Sequence, residues 1–251
     1  GRPLKSILCL FDTSIVPFHF YHLQSTNKIF LGGPYDEKSY VVKNTSHYFT
    51  LLKDKKIILD HEERKKMILA SLKTIFAKSK CENNPDMGLV EEVTNLVEYP
   101  TALKGKFSEE FLALPEELLN LTMKQHQRYF PMRSLSEGKI VNQFITISNN
   151  KDEKKLIIEG NERVLQARLA DAKFFWDKNK KQNLVKLVSK LNGIVFYKDL
   201  GTVYDKTQRV RQLSSLIADI IVCNKEDTEI AASICKADLV TDLVGEYPEL
   251  Q

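Results

Sequence analysis

The stretch "EGNERVLQARLADAKFFWDKNKK", Glu159 to Lys181, decides how this chain is read. At about 100° per residue, Leu165, Leu169, Ala172 and Trp176 fall on one stripe, the pattern of a helix with a core-facing side. Arg168 lies in the same broad arc, between Phe175 and Leu165. Its aliphatic stem can rest on apolar surface, but a guanidinium taken out of water needs a carboxylate or a polyanion. Asp171, three residues on, is the local partner, so Arg168 and Asp171 are expected to form a structural ion pair that fixes helix docking. A phosphate contact by Arg163 or Arg168 is the alternative. Ala167, Ala170 and Phe174 make a second apolar patch opposite the first, which predicts a helix covered on two sides. The lysine run marks where packing ends.

Around this helix the composition is that of an ordinary globular protein. Of 251 residues, 43% are hydrophobic and 28% charged, enough apolar material for one large domain or two smaller ones. A formal net charge of +4 tips the balance toward a polyanionic partner only slightly. Cys9, Cys81, Cys223 and Cys235 are widely spaced and form no C-x-x-C pair, so reduced thiols and a cytoplasmic setting are expected. No apolar run reaches the roughly 18 residues of a membrane span, and no signal-peptide pattern opens the chain. The start without an initiator Met and the stop at "VGEYPELQ" read as a fragment of something longer.

The fold class expected is α+β: an N-terminal mixed sheet with packed helices, then an all-helical segment. "SILCLF" and "IVPFHFYHL" flank Asp12-Thr13-Ser14 and predict a hairpin. Strands are expected at "KIFL", "YVV" and "KIIL", with a turn at Gly32-Gly33. A long helix begins at Asp60, a cap with Glu63 at the reciprocal position of a capping box, and buries Ile68, Leu72, Ile75 and Phe76. A loop at "NNPDMG" precedes a short helix over Leu89–Val97. Pro115 opens a helix that Pro131 limits. "NQFITISNN" reads as a strand, and the chain beyond Gly160 is mainly helical with a break at "NGIVFYKDLGT". The composition shift near Lys178–Gln182 is the expected domain boundary.

In the Pro115 helix His126 sits among Leu118, Leu119, Thr122, Met123, Tyr129 and Phe130, as a hydrogen-bonded core histidine would. Lys124 and Arg128 share the opposite face four residues apart, placed to touch phosphates. "DKTQRVRQL" repeats the arrangement: Val210, Leu213, Ile217 and Ile220 are expected to turn inward, Lys206 and Arg209 outward. Three basic helical faces in one chain make a cumulative signal for a polyanion. Catalytic templates are missing. "HEERK" at His61 has Lys65 where H-E-x-x-H needs its second histidine, and there is no Walker loop, G-x-G-x-x-G or G-x-S-x-G. The five histidines lack metal-ligand spacing. No catalytic residue and no metal site is therefore assigned.

Four blocks carry a family resemblance in order and spacing: "NLVEYPTALKGKFSEEFLALPEELLNLTMKQHQRYFPM" (Asn95–Met132), "IEGNERVLQARLADAKFFWDKN" (Ile158–Asn179), "LGTVYDKTQRVRQL" (Leu200–Leu213) and "CKADLVTDLVGEYPELQ" (Cys235–Gln251). Together they resemble the beta subunit of the bacterial two-subunit glycyl-tRNA synthetase. "RPLKSILCLFDTSIVPFHF" and "LDHEERKKMI" are similar but looser. Where family members typically carry an Arg-Gly-His-Arg run, this chain reads "STNKIFLGG".

The resemblance implies that residues 1–175 form an editing-domain-like α+β domain and 176–251 the opening of an HD-type helical domain. It also implies a role in tRNA binding and in assembly with the alpha subunit, or with a fused alpha region. The alpha subunit would use ATP and Mg to charge tRNA specific for glycine, with no cofactor in this part of the beta chain. Lys124, Arg128, Arg163, Lys206 and Arg209 are the residues expected to face tRNA. Two other classes stay open: a hydrolase deacylating mischarged tRNA near His19, His22 or His126, and a pure scaffold for the alpha subunit.

Overall fold

The computed structural model describes residues 4–31, 38–149 and 151–251; the turn expected at Gly32-Gly33 lies outside them. Five short strands come first: β1 (Ile7–Leu8), β2 (Leu10–Phe11), β3 (Ser14–Ile15), β4 (His19–Phe20) and β5 (Leu23–Thr26). Asp12 adopts φ 55°, a left-handed conformation that a short polar side chain tolerates. That turns β2 back on β3 as expected, with Leu10 opposite Ile15 and Phe11 opposite Ser14. β5 lies between β1, its parallel neighbour, and β4, its antiparallel one. Next, β6 (Lys28–Phe30) pairs antiparallel with β7 (Ser39–Val41).

The "KIIL" segment forms no strand. Its Ile57 and Ile58 N–H groups go instead to the carbonyls of Leu52 and Glu98. Before it stands α1 (Thr45–Asp54), capped by Asn44, a helix that the strand reading passed over. Asp60 caps α2 (His61–Lys78), but through the Glu62 N–H at 2.9 Å rather than through a box with Glu63. Ile68, Leu72 and Phe76 are buried as expected, and Ile75 is half-buried. Arg64 reaches from α2 to the Thr94 carbonyl in α3 (Met87–Leu96) and to the Ile58 carbonyl, at 3.0 and 2.6 Å.

β8 (Thr101–Lys106) leads into a helical turn at Glu109–Ala113, α4 (Glu116–Asn120) and a π-helical turn at Leu121–His126. β9 (Phe130–Arg133) and the expected strand β10 (Ile140–Ser148) follow, in a sheet ordered β8-β10-β9. The helical part consists of α5 (Leu156–Asn179), α6 (Leu184–Leu187), α7 (Val203–Ile221), α8 (Lys225–Ile234) and α9 (Asp242–Glu246). A hairpin of β11 (Val195–Tyr197) and β12 (Gly201–Thr202) interrupts it. The chain is thus mixed α+β. Its residues group into two compact units, 1–103 with 145–153 and 104–144 with 154–251, so the division falls inside β8 and β10. In the second unit Leu165, Leu169 and Ala172 pack with Leu243 and Tyr247. Side chains from before and after the composition shift at Lys178–Gln182 therefore share one core.

Two expected helix faces are corrected. The patch of Ala167, Ala170 and Phe174 is exposed, with Phe174 63% accessible, so α5 is covered on one side within its unit. On α7, Leu213, Ile217 and Ile220 are exposed and Val210 half-buried, while Val203, Thr207 and Ala218 are buried. Polar bonds tie α8 to α7. Arg211 and Ser215 bond Glu229, and Lys225 pairs with Asp219. α7 packs on α8, on the β11–β12 hairpin and on the helical turn at 188–193, and its branched face stays outside.

Candidate nucleic-acid interface

The basic residues singled out by sequence occupy three different settings. After α4 the helix widens into its π-turn, and Arg128 follows with φ 57°. The Arg128 N–H donates to the Lys124 carbonyl at 3.1 Å and the Tyr129 N–H to the Met123 carbonyl at 2.8 Å. Each bond spans one residue more than its counterpart in a Schellman ending, as the wider turn requires. Lys124 and Arg128 consequently share no helical face. Lys124 is half-buried, whereas Arg128 is exposed past the helix end with its guanidinium on the Gln125 carbonyl. His126 is also half-buried and lies flat on Tyr247.

Arg163 lines a cavity of about 650 Å³ between the end of β8 and α5, with Lys106, Glu109, Glu159 and Glu162. Glu162 accepts the Lys106 N–H at 2.9 Å and Gln166 the Ser108 N–H at 3.2 Å, so α5 side chains cap this stretch of backbone. Three carboxylates around two cations make the cavity a mixed-charge site. Arg168 and Asp171 are both exposed and make no ion pair with each other. The expected pair is therefore corrected: in water, two solvated charges three residues apart gain little by meeting.

Lys206 and Arg209 come together on the β11–β12 hairpin. The Lys206 ammonium lies 4.2 Å from the Phe196 ring centroid, a cation–π contact. Arg209 donates to the Leu200 carbonyl at 3.0 Å. Below them a capping box starts α7. The Asp205 carboxylate accepts from the Thr202 N–H and hydroxyl at 2.8 and 2.9 Å, and Thr202 Oγ1 accepts the Asp205 N–H. Those bonds hold the Asp205 carboxyl below its ordinary range. The spacing T-x-x-D signals this box in the sequence, at the end of the expected break.

A further cluster forms around the lysine run, and nothing in the linear spacing announces it because Lys190 and Asp242 join it from later in the chain. Lys178 pairs with Asp242 at 2.8 Å, and Lys173 with Asp177 at 2.9 Å. The ion-pair hydrogen bonds hold both carboxyls below their ordinary range, and Lys180, Lys181 and Lys190 add to the effect. Five lysines thus surround two carboxylates at the exit of α5. Among the described residues, no group of three or more His, Cys, Asp and Glu side chains is arranged to hold a metal. No helix among the described residues is long and apolar enough to cross a membrane.

The chain is mixed α+β, with its singled-out cations at a helix end, in a mixed-charge cavity and against a hairpin. Its sequence matches the family model of the glycyl-tRNA synthetase beta subunit over residues 1–251, and the chain belongs to that family. It is 40% identical to the glycine–tRNA ligase beta subunit of Listeria monocytogenes (strain EGD-e) over 254 aligned residues. The beta subunits of Dictyoglomus turgidum and Geotalea uraniireducens are 41% and 40% identical. Each match covers 100% of this chain and 37% of the relative, so the chain spans little more than a third of the curated relatives' length. These relatives are parts of an aminoacyl-tRNA synthetase.

Proposed function

We propose that the chain works within a glycine–tRNA ligase as a tRNA-binding and assembly part of the beta chain. Amino-acid activation is left to a catalytic alpha subunit, or a fused alpha region, that uses ATP and Mg. Family membership along all 251 residues is the observation that carries this reading. Exposed Arg128 and Arg209, with Lys124, Arg163 and Lys206, are the proposed contacts to tRNA, and the setting is the cytoplasm. Residues 1–175 are proposed as the editing-domain-like part and 176–251 as the opening of an HD-type helical domain.

Phosphate contacts dominate such binding, and each releases counterions, so affinity falls steeply as salt rises. The test is a salt titration of the chain against glycine-specific tRNA, with co-elution against the alpha subunit in parallel. A flat salt dependence, or no binding at low salt, removes tRNA from the reading; co-elution with alpha alone leaves a scaffold.

A further inference from the structure

The β11–β12 hairpin exposes more aromatic and apolar surface than its size requires. Tyr197 is 63% accessible and Phe196 40%, with Val195 and Leu200 also open. Such exposure in a flexible tail would mean little, but this hairpin is held in place. The Leu200 N–H closes the turn onto the Tyr197 carbonyl at 3.0 Å, and the Val203 N–H bonds the Ile194 carbonyl at 2.8 Å. Arg209 clamps the Leu200 carbonyl from α7. Gly201 takes φ 80°, and any side chain there would run into the Asp205 carboxylate, 2.3 Å from an added Cβ. One face of Phe196 already carries the Lys206 ammonium. Tyr197 is therefore the large ring presented outward on a fixed support.

The charges around it favour a nucleic acid over a protein. Lys198 flanks the ring in the turn, and Lys206 and Arg209 stand behind it. The nearby carboxylates are Asp205, kept ionised by the Thr202 N–H and hydroxyl, and Asp199 in the turn, so the three cations exceed them by one. Tyrosine and arginine suit either kind of partner, but lysine is depleted from protein–protein interfaces, and aromatic rings beside Lys and Arg are the recurring platform for unpaired bases. We propose that the hairpin is a stacking site for one unpaired nucleobase of an RNA partner, with Tyr197 as the platform. This rests on the reading of the chain as a tRNA binder.

Stacking releases no counterions, so it contributes to affinity without changing the salt slope. Tyr197→Ala, Tyr197→Phe and wild type are titrated with glycine-specific tRNA at 50 to 200 mM salt, and with a blunt RNA duplex of equal length. Tyr197→Ala is expected to bind tRNA about tenfold more weakly at every salt concentration. Tyr197→Phe keeps wild-type affinity, and duplex binding is the same for all three. Equal tRNA affinity for Tyr197→Ala and wild type overturns the stacking site. So does equal loss on the duplex, or a loss confined to alpha-subunit co-elution, which would make the hairpin a protein contact. If wild type itself binds no tRNA, the tRNA-binding reading fails first, and the hairpin falls with it.

Discussion

The imidazole of His126 lies flat against the ring of Tyr247, centroids 5.3 Å apart and planes 5° from parallel. The stack joins the π-turn to the end of α9 and closes one side of the second unit's core, where Tyr247 is 2% exposed. Tyr247→Ala leaves a ring-sized cavity and exposes the His126 face, and is expected to cost about 3 kcal/mol. Tyr247→Phe removes only the hydroxyl, which faces Thr122, and should cost no more than about 1 kcal/mol. Denaturant unfolding of the two variants checks this; equal costs would show that the ring itself carries little.

Tyr129 supplies a pH dependence. Burial pushes its phenol up to about 12 from an ordinary value of 10.0, and its hydroxyl bonds Asn161 Oδ1 at 2.5 Å. The folded state therefore holds this proton more tightly than the unfolded chain. Its contribution is complete below pH 10 and disappears as pH rises toward 12, a loss on the order of 2 kcal/mol. Denaturant midpoints should fall between pH 9.5 and 11.5, and less so in Tyr129→Phe.

Gly105 in β8 has no room for a side chain. An added Cβ would stand 2.6 and 2.8 Å from the Phe144 ring and 2.9 Å from Ile158 Cδ1. Phe144 is fully buried and stacked on Tyr129 at 4.7 Å, so it cannot yield. Gly105→Ala is expected to destabilise by about 2 kcal/mol through overpacking, read as a lower unfolding midpoint with an unchanged slope.

Sequence periodicity located what local chemistry controls and lost what neighbours control. Leu165, Leu169 and Ala172 show as one stripe because 3.6-residue spacing alone puts them together. Asp12 and Asp60 show because turns and caps are satisfied within a few residues. Arg128 does not, since a π-turn shifts the frame by one residue without any Gly or Pro to announce it. The outward face of α7 was equally illegible. Both of its faces fit a helical wheel, and the choice between them depends on the elements packed against α7, which are read only in three dimensions. In the candidate site, the outward placing of Lys206 and Arg209 follows from helical spacing, but the hairpin that both contact does not.

That α7 face gives a prediction of its own. Ile220 is 79% exposed, so Ile220→Lys is expected to change stability by less than about 0.5 kcal/mol. A core position, as the wheel suggested, would lose several times that. Thermal unfolding of the single variant decides between the two, and reduced binding of a hydrophobic dye would accompany the small change.

Arg128 sets stability against binding. A side chain held at φ 57° carries a local cost that glycine avoids, and the two backbone bonds that close the turn, from the Arg128 and Tyr129 N–H groups, would be retained by a glycine. Arg128→Gly is therefore expected to stabilise the chain by about 0.5–1 kcal/mol, after allowing for the lost guanidinium bond to Gln125. If the arginine meets a phosphate, the same variant binds tRNA more weakly and its salt slope falls by about one unit. Arg128→Lys separates the two effects, since it keeps the charge and the left-handed strain and should retain the slope without the gain in stability. A more stable Arg128→Gly with wild-type affinity and slope would remove Arg128 from the interface and leave its conformation as a requirement of the π-turn alone.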